Sequence, residues 1–315
     1  MVRMEFGWKV PEFPADGSDA AGLLRQTLAT LDLIGGRFHS AWVTDHMIPW
    51  AKWQAVNTPT IECWTTLTFL ASRYPDLTWG TIVLCQSYRN PALLAKMVAN
   101  LCAYLPGKVV FGIGAGWKED EYAAYNWPFP SPATRIRQLE ETVEIAKRLW
   151  AEDHVTYEGR EYQVRDASCD PKPTPVPPVM IGGSGEQLTL KVVARHADWW
   201  NGTGTRESVA HKLDVLREHG ERVGRDTGAI KKTWQCEMVA VGRTEAEARQ
   251  MAEASPFYTT NNLVGTASQV AEQIAAWADL GISLMQLRFA DFPRTESIER
   301  FMADVMPQFA RDAAE

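Results

Sequence analysis

The sequence predicts a closed (β/α)₈ barrel, an α/β fold in which eight parallel strands are ringed by helices. Three observations carry that expectation. Strand-like and helix-like stretches alternate from one end of the chain to the other, the pattern of βαβ units and a parallel sheet. Eight such units in 315 residues match the size of a barrel with modest insertions. The first strand runs into Pro11-Glu12-Phe13-Pro14, where an open dinucleotide-binding sheet would carry G-x-G-x-x-G. Residues 1–315 are therefore expected to form a single barrel domain.

Each unit can be justified in turn. Residues 4–10 are short and apolar with polar interruptions, a first strand. Residues 20–34 have helical spacing and stop on Gly35-Gly36. Residues 41–44 form strand two, and the helix over 61–74 ends before Pro75. Residues 78–85 read as strand three, and Pro91 opens the helix over 91–105. Residues 109–113 form strand four. The next helix spans 134–150, with Leu139, Val143, Ala146 and Trp150 on one face. Residues 155–164 interrupt the alternation with a hairpin turning at Tyr157-Glu158-Gly159-Arg160. Five prolines between Asp170 and Pro178 make an extended loop. The alternation then resumes: strands over 179–182, 198–200, 234–241 and 284–289, and helices over 186–196, 207–223, 244–254, 268–280 and 298–309. Residues 255–265 read as a loop.

Composition narrows the function. A net charge of -7 argues against nucleic acid, whose phosphates need a basic footprint, while one local basic pocket still suffices for an anionic small molecule. The first residues lack a secretion signal, and no apolar run approaches the ~20 residues of a membrane helix. Cys63, Cys85, Cys102, Cys169 and Cys236 are scattered, with no C-x-x-C, which suits reduced thiols in cytoplasm. Thirteen tryptophans fill the core or line a pocket for a flat aromatic ligand.

A barrel places its active site at the C-terminal ends of its strands. After strand two stands Asp45-His46-Met47-Ile48-Pro49-Trp50. An imidazole there can exchange a proton with a reacting oxygen, and Asp45 can orient it or bind the polar edge of a ring. After strand four, Gly112-Ile113-Gly114-Ala115-Gly116-Trp117 permits close backbone approach to a ligand, or is simply a tight turn. After strand five, Gly182-Gly183-Ser184-Gly185-Glu186 leads into a helix, where exposed N–H groups receive an anion such as phosphate. A plain helix cap is the alternative. Metalloprotease and P-loop motifs are absent, and His196, His211 and His219 fall in or beside helices.

Taken together, these strings resemble the luciferase-like flavin and deazaflavin oxidoreductases, over nearly the whole chain. The resemblance rests on Trp42-Val43-Thr44-Asp45-His46, on Gly80-Thr81-Ile82-Val83 with residues 88–96, and on Gly112 to Trp117 with Glu121-Tyr122. Residues 177–185 and Ala197-Asp198-Trp199-Trp200-Asn201 complete it. It implies a TIM barrel holding coenzyme F420, with FMN as the alternative. It implies a cis Ile82–Val83 peptide behind the cofactor ring, and phosphate held near Gly182, Gly183 and Ser184. Ile82, Val83, Asp45, Gly114, Gly116 and Asp120 are the further residues expected to bind cofactor. The loop with His46, Asp45 and Trp50 is similar to that of deazaflavin-dependent sugar-phosphate dehydrogenases, in which the His is a base and the Trp lines the reaction pocket. Those enzymes carry a Glu where this chain has Trp117, so any partner acid must come from elsewhere, with Glu119 and Asp120 as candidates.

The expected function is hydride transfer between F420 and an unidentified small organic substrate, in the cytoplasm. The rivals are a monooxygenase using reduced FMN and oxygen, and a non-catalytic flavin-binding protein. Nucleic acid and membrane are not expected partners, and the resemblance leaves a homodimer open.

Overall fold

The computed structural model describes residues 4–49, 57–257 and 262–309. Its centre is a closed barrel of eight parallel strands. The barrel runs β1 (Glu5–Lys9), β2 (Ser40–Val43), β3 (Thr78–Thr81) continued by β4 (Leu84–Cys85), β5 (Val109–Gly114), β8 (Val179–Gly182), β9 (Trp199–Gly202), β10 (Lys231–Val241) and β12 (Ile282–Phe289). β12 pairs with β1, and β9 pairs with β10, which closes the ring. Every barrel pairing is parallel.

The helices follow from their caps and apolar faces. Asp19 accepts the Gly22 N–H at the start of α1 (Ala20–Ile34), and Glu62 takes the Trp64 and Thr65 N–H groups at α2 (Cys63–Arg73). Asn90 caps α3 (Pro91–Tyr104), with Pro91 in its first turn. α5 (Pro132–Ala151) buries the expected face of Leu139, Val143, Ala146 and Trp150. α6 (Thr189–His196), α7 (Arg206–Val223), α8 (Glu245–Ala254) and α9 (Ala267–Ala278) complete the outer layer. The last helix is broken: α10 (Glu296–Arg300) gives way to a π turn over Phe301–Val305 and a 3₁₀ turn over Met306–Phe309.

Most of the tryptophans are core. Trp8, Trp42, Trp79, Trp200 and Trp234 are fully buried. Trp42 lies with Ile82, Val110, Met180 and Leu284 in an apolar cluster.

Several local readings need correction. Strand three is two pieces, parted by a cis Ile82–Val83 peptide. The loop over 255–265 contains β11 (Asn262–Gly265), which pairs with the far half of β10. A short helix, α4 (Glu119–Ala124), follows the β5 glycines. The hairpin β6 (Val155–Glu158) and β7 (Gln163–Ala167) turns two residues later than expected, where Gly159 donates to the Tyr162 carbonyl. There the Glu141 carboxylate accepts the N–H groups of Arg160, Glu161 and Tyr162.

Candidate active site

The C-terminal ends of the strands open into a cavity of about 820 Å³. Asp45 and His46 reach it from beyond β2, Ile82 and Val83 from the break between β3 and β4, and Gly114 and Gly116 from the end of β5. Gly182, Gly183 and Ser184 enter after β8, Asn201 from β9, and Gln235 and Glu237 from β10. Nine of the expected residues therefore share one cavity. Trp50 lies outside the described residues. Asp120 does not line the cavity: it sits in the first turn of α4 with its side chain about half exposed and pairs with Lys118.

His46 has a carboxylate partner, and it is Glu121. The imidazole Nδ1 lies 3.2 and 3.1 Å from the two Glu121 oxygens. Glu121 is fully buried and also accepts the Met47 and Ile48 N–H groups at 2.8 and 3.2 Å and the Tyr88 hydroxyl at 2.8 Å. Burial alone would raise its pKa. The hydrogen bonds from His46, Tyr88 and the Ile48 backbone, with the His46 charge, hold it below the usual range instead. An ionised carboxylate only accepts, so Nδ1 carries the proton and Nε2 is the nitrogen of the second ring edge. Tyr88 keeps its proton, because burial, Cys85 and Glu121 all push its pKa up. Its ring stacks on Trp127 at 4.1 Å.

Neither Glu119 nor Asp120 supplies this acid. The three acids 119–121 are consecutive on a six-residue helix, too short for periodicity to say which one faces inward. The Glu121-Tyr122 string of the resemblance, both of whose residues are completely buried, is the local sequence signal that this edge of α4 packs against the barrel.

Asp45 does not orient His46 through any contact described. Its carboxylate is gripped by Arg89 at 2.8 and 3.0 Å and accepts the Cys85 N–H at 2.9 Å. It ties the end of β2 to β4. Arg89 also reaches Glu62, the cap of α2.

Val83 stands between two glycines. A Cβ on Gly114 or on Gly182 would lie 2.8 Å from a Val83 methyl, so only glycine lets the valine fill this place. The loop after β8 differs from expectation. α6 starts at Thr189 rather than 186, Leu188 is its cap position, and a turn over 186–188 intervenes. Ser184 is thus no helix cap. Its hydroxyl is buried and has no hydrogen-bond partner among the described residues. Gly183 has φ 137°, open to glycine alone.

A buried charge network that the sequence did not reveal borders the cavity. Lys9 bonds Glu237 at 2.9 Å, and Arg288 grips Glu12 at 3.0 and 2.8 Å. Burial and the Arg288 charge pull Lys9 below its usual range against the opposing pull of Glu237. Burial would raise Glu237, but Lys9 and Arg288 hold it low.

The family model described as luciferase-like monooxygenase matches residues 4–262. The chain belongs to the luciferase-like monooxygenase family. Among the relatives of this luciferase-like chain is the F420-dependent glucose-6-phosphate dehydrogenase of Segniliparus rotundus. It is 27% identical over 303 residues, which cover 86% of this chain and 89% of the relative. The FMNH(2)-dependent dimethylsulfone monooxygenase of Pseudomonas putida is 27% identical over 258 residues, covering 69% and 70%. A solved F420-dependent secondary alcohol dehydrogenase in complex with an F420-acetone adduct superposes with TM-score 0.82 at 19% identity. That match covers 98% of the luciferase-like chain and 100% of the solved one.

Proposed function

We propose that this luciferase-like chain is an oxidoreductase that moves hydride between coenzyme F420 and a small organic alcohol or carbonyl compound, with His46 exchanging the proton. The observation that carries the reading is the His46–Glu121 pair at the mouth of the cavity. F420-dependent names among relatives aligned over most of the chain support it.

The residues present fit such a group. Val83 offers a partly exposed side chain seated between Gly114 and Gly182, a surface against which a flat ring packs. Ser184 offers a buried, unpartnered hydroxyl in the same cavity, suited to a phosphate oxygen. The deazaflavin ring, when bound, supplies the hydride acceptor or donor.

Glu121 holds Nδ1 of His46 protonated and fixes the ring, which leaves Nε2 to take a hydroxyl proton or to return one. The fixed acceptor carboxylate stabilises the imidazolium as the proton arrives. Tyr88 and the Met47 and Ile48 N–H groups keep Glu121 ionised and immobile. Asp45 and Arg89 are positioning residues that lock the strand ends. Residues 1–315 act as one catalytic unit. Five buried free thiols suit the reducing cytoplasm. No helix among the described residues is long and apolar enough to cross a membrane.

The test is anaerobic incubation of the cofactor-loaded enzyme with a panel of alcohols and carbonyls. The expected result is a change in cofactor oxidation state without oxygen, giving a product that differs from the substrate by two electrons. Turnover only with oxygen, giving a product that carries an added oxygen atom, would replace this reading with the FMN monooxygenase.

A further inference from the structure

Trp117 stands where the cavity meets solvent. It follows the β5 glycines, lines the cavity and is 65% exposed. Its ring meets the His46 imidazole nearly edge to face, with centroids 5.7 Å apart. Met47 and Ile48, the next two residues of the His46 loop, are also partly exposed, and both of their N–H groups are fixed on Glu121. Single apolar side chains scattered over a surface mean little. An exposed indole at a cavity mouth, against the imidazole, is a ligand contact.

The charged groups beside this indole are already engaged. Lys118, the next residue, is bound to Asp120. Glu121 is taken by His46, Tyr88 and the two loop N–H groups. An anionic substrate body would have to break the Lys118–Asp120 pair to find a counter-charge here. A polyol would turn its hydroxyls toward a ring that offers one N–H donor and no acceptor, and a desolvated hydroxyl left unpaired is costly.

A reacting oxygen must come within hydrogen-bond reach of His46 Nε2. The indole covers one side of that imidazole, so the body attached to the reacting carbon lies along the indole. We infer that Trp117 selects the substrate, an alcohol or carbonyl compound whose body is alkyl or aryl rather than polyhydroxylated or charged. The inference rests on the reading of His46 as the proton-exchanging group and deepens it by naming the substrate class. Covering the indole with an apolar body removes surface of both from water, which a polar body does not achieve.

The experiment is calorimetric titration of the cofactor-loaded enzyme with carboxamides, which mimic a carbonyl substrate and do not react: acetamide, hexanamide, benzamide and gluconamide. In wild type, affinity is expected to rise about threefold to fourfold for each methylene buried, with benzamide far tighter than gluconamide. In Trp117→Ala, benzamide is expected to weaken by about tenfold while acetamide changes little, and Trp117→Phe recovers most of the loss. Thermal unfolding of each variant confirms that the folded protein is being titrated. Gluconamide binding as tightly as benzamide would overturn the inference. So would equal weakening of acetamide and benzamide in Trp117→Ala, or no binding of any amide. The amides bind without turnover, so the inference and the hydride-transfer reading fail separately. A Trp117-dependent preference for benzamide in an enzyme that turns over only with oxygen would uphold Trp117 as the selector and remove hydride transfer. Anaerobic turnover confined to polyols would do the reverse.

Discussion

At the scale of single residues, the proposed chemistry rests on Glu121, a carboxylate that the resemblance includes in Glu121-Tyr122 without giving it a role. Glu121 accepts from His46, Tyr88, Met47 and Ile48 at once. If His46 is the proton-exchanging group, His46→Ala lowers kcat by ~10²–10⁴-fold and leaves the cofactor dissociation constant nearly unchanged. Steady-state kinetics beside a binding titration checks this, and an unchanged kcat would reduce His46 to a loop support. Glu121→Gln is expected to lower kcat more than it changes KM, with partial recovery in Glu121→Asp. A merely structural Glu121 would instead lower thermal stability and leave the kcat of the folded fraction intact. The position of His46 was legible because it follows a strand that had to end at the barrel mouth. Glu121 was visible as part of Glu121-Tyr122 but its partnership with His46 was not, because three adjacent acids on one short helix look alike until tertiary packing selects one. Asp45 was placed at the barrel mouth, but its hold on Arg89 was not legible, because Arg89 is distant in sequence and only the fold brings the two together.

At the scale of elements, the break between β3 and β4 and the glycine ends of β5 and β8 form one packed unit around Val83. Gly182→Ala puts a methyl 2.8 Å from Val83. The expected cost is about 1–3 kcal/mol, by analogy with overpacked cores, read as a lowered urea midpoint and weaker cofactor binding. An unchanged midpoint with unchanged binding would mean that Val83 moves freely. Between α5 and α6, Glu140 accepts from Arg195 at 2.9 Å and His196 at 3.1 Å. The His196 hydrogen bond leads in drawing its pKa down to about 2, and burial opposes it. A carboxyl depressed in the folded state stabilises the fold above its unfolded value of 4.5 and loses that contribution as pH falls toward 2. The stability advantage of wild type over Glu140→Gln should therefore shrink between pH 5 and about pH 2, measured by urea unfolding. A constant advantage would mean that the contacts do not respond to protonation. Long amphipathic helices such as α5 were readable from spacing. β11 was not, since four residues at the end of a loop carry no period until β10 offers them an edge.

At the scale of the whole molecule, alternation and length led to the barrel because eight parallel strands in this many residues have few other ways to close. Charge arrangement was invisible at that scale. Lys9, Glu12, Glu237 and Arg288 come from three distant parts of the chain, and only closure of β1 against β12 and β10 joins them into a buried network. Breaking one pair, as in Glu12→Gln, is expected to cost about 3–5 kcal/mol by leaving a buried charge uncompensated, and calorimetry or urea unfolding measures it. The central claim concerns what the strand ends were shaped to hold. Equilibrium titration of the apo-protein with F420 and with FMN tests it most directly. The account predicts micromolar or tighter binding of F420 with FMN much weaker. Micromolar or tighter binding of FMN with negligible binding of F420 would contradict it.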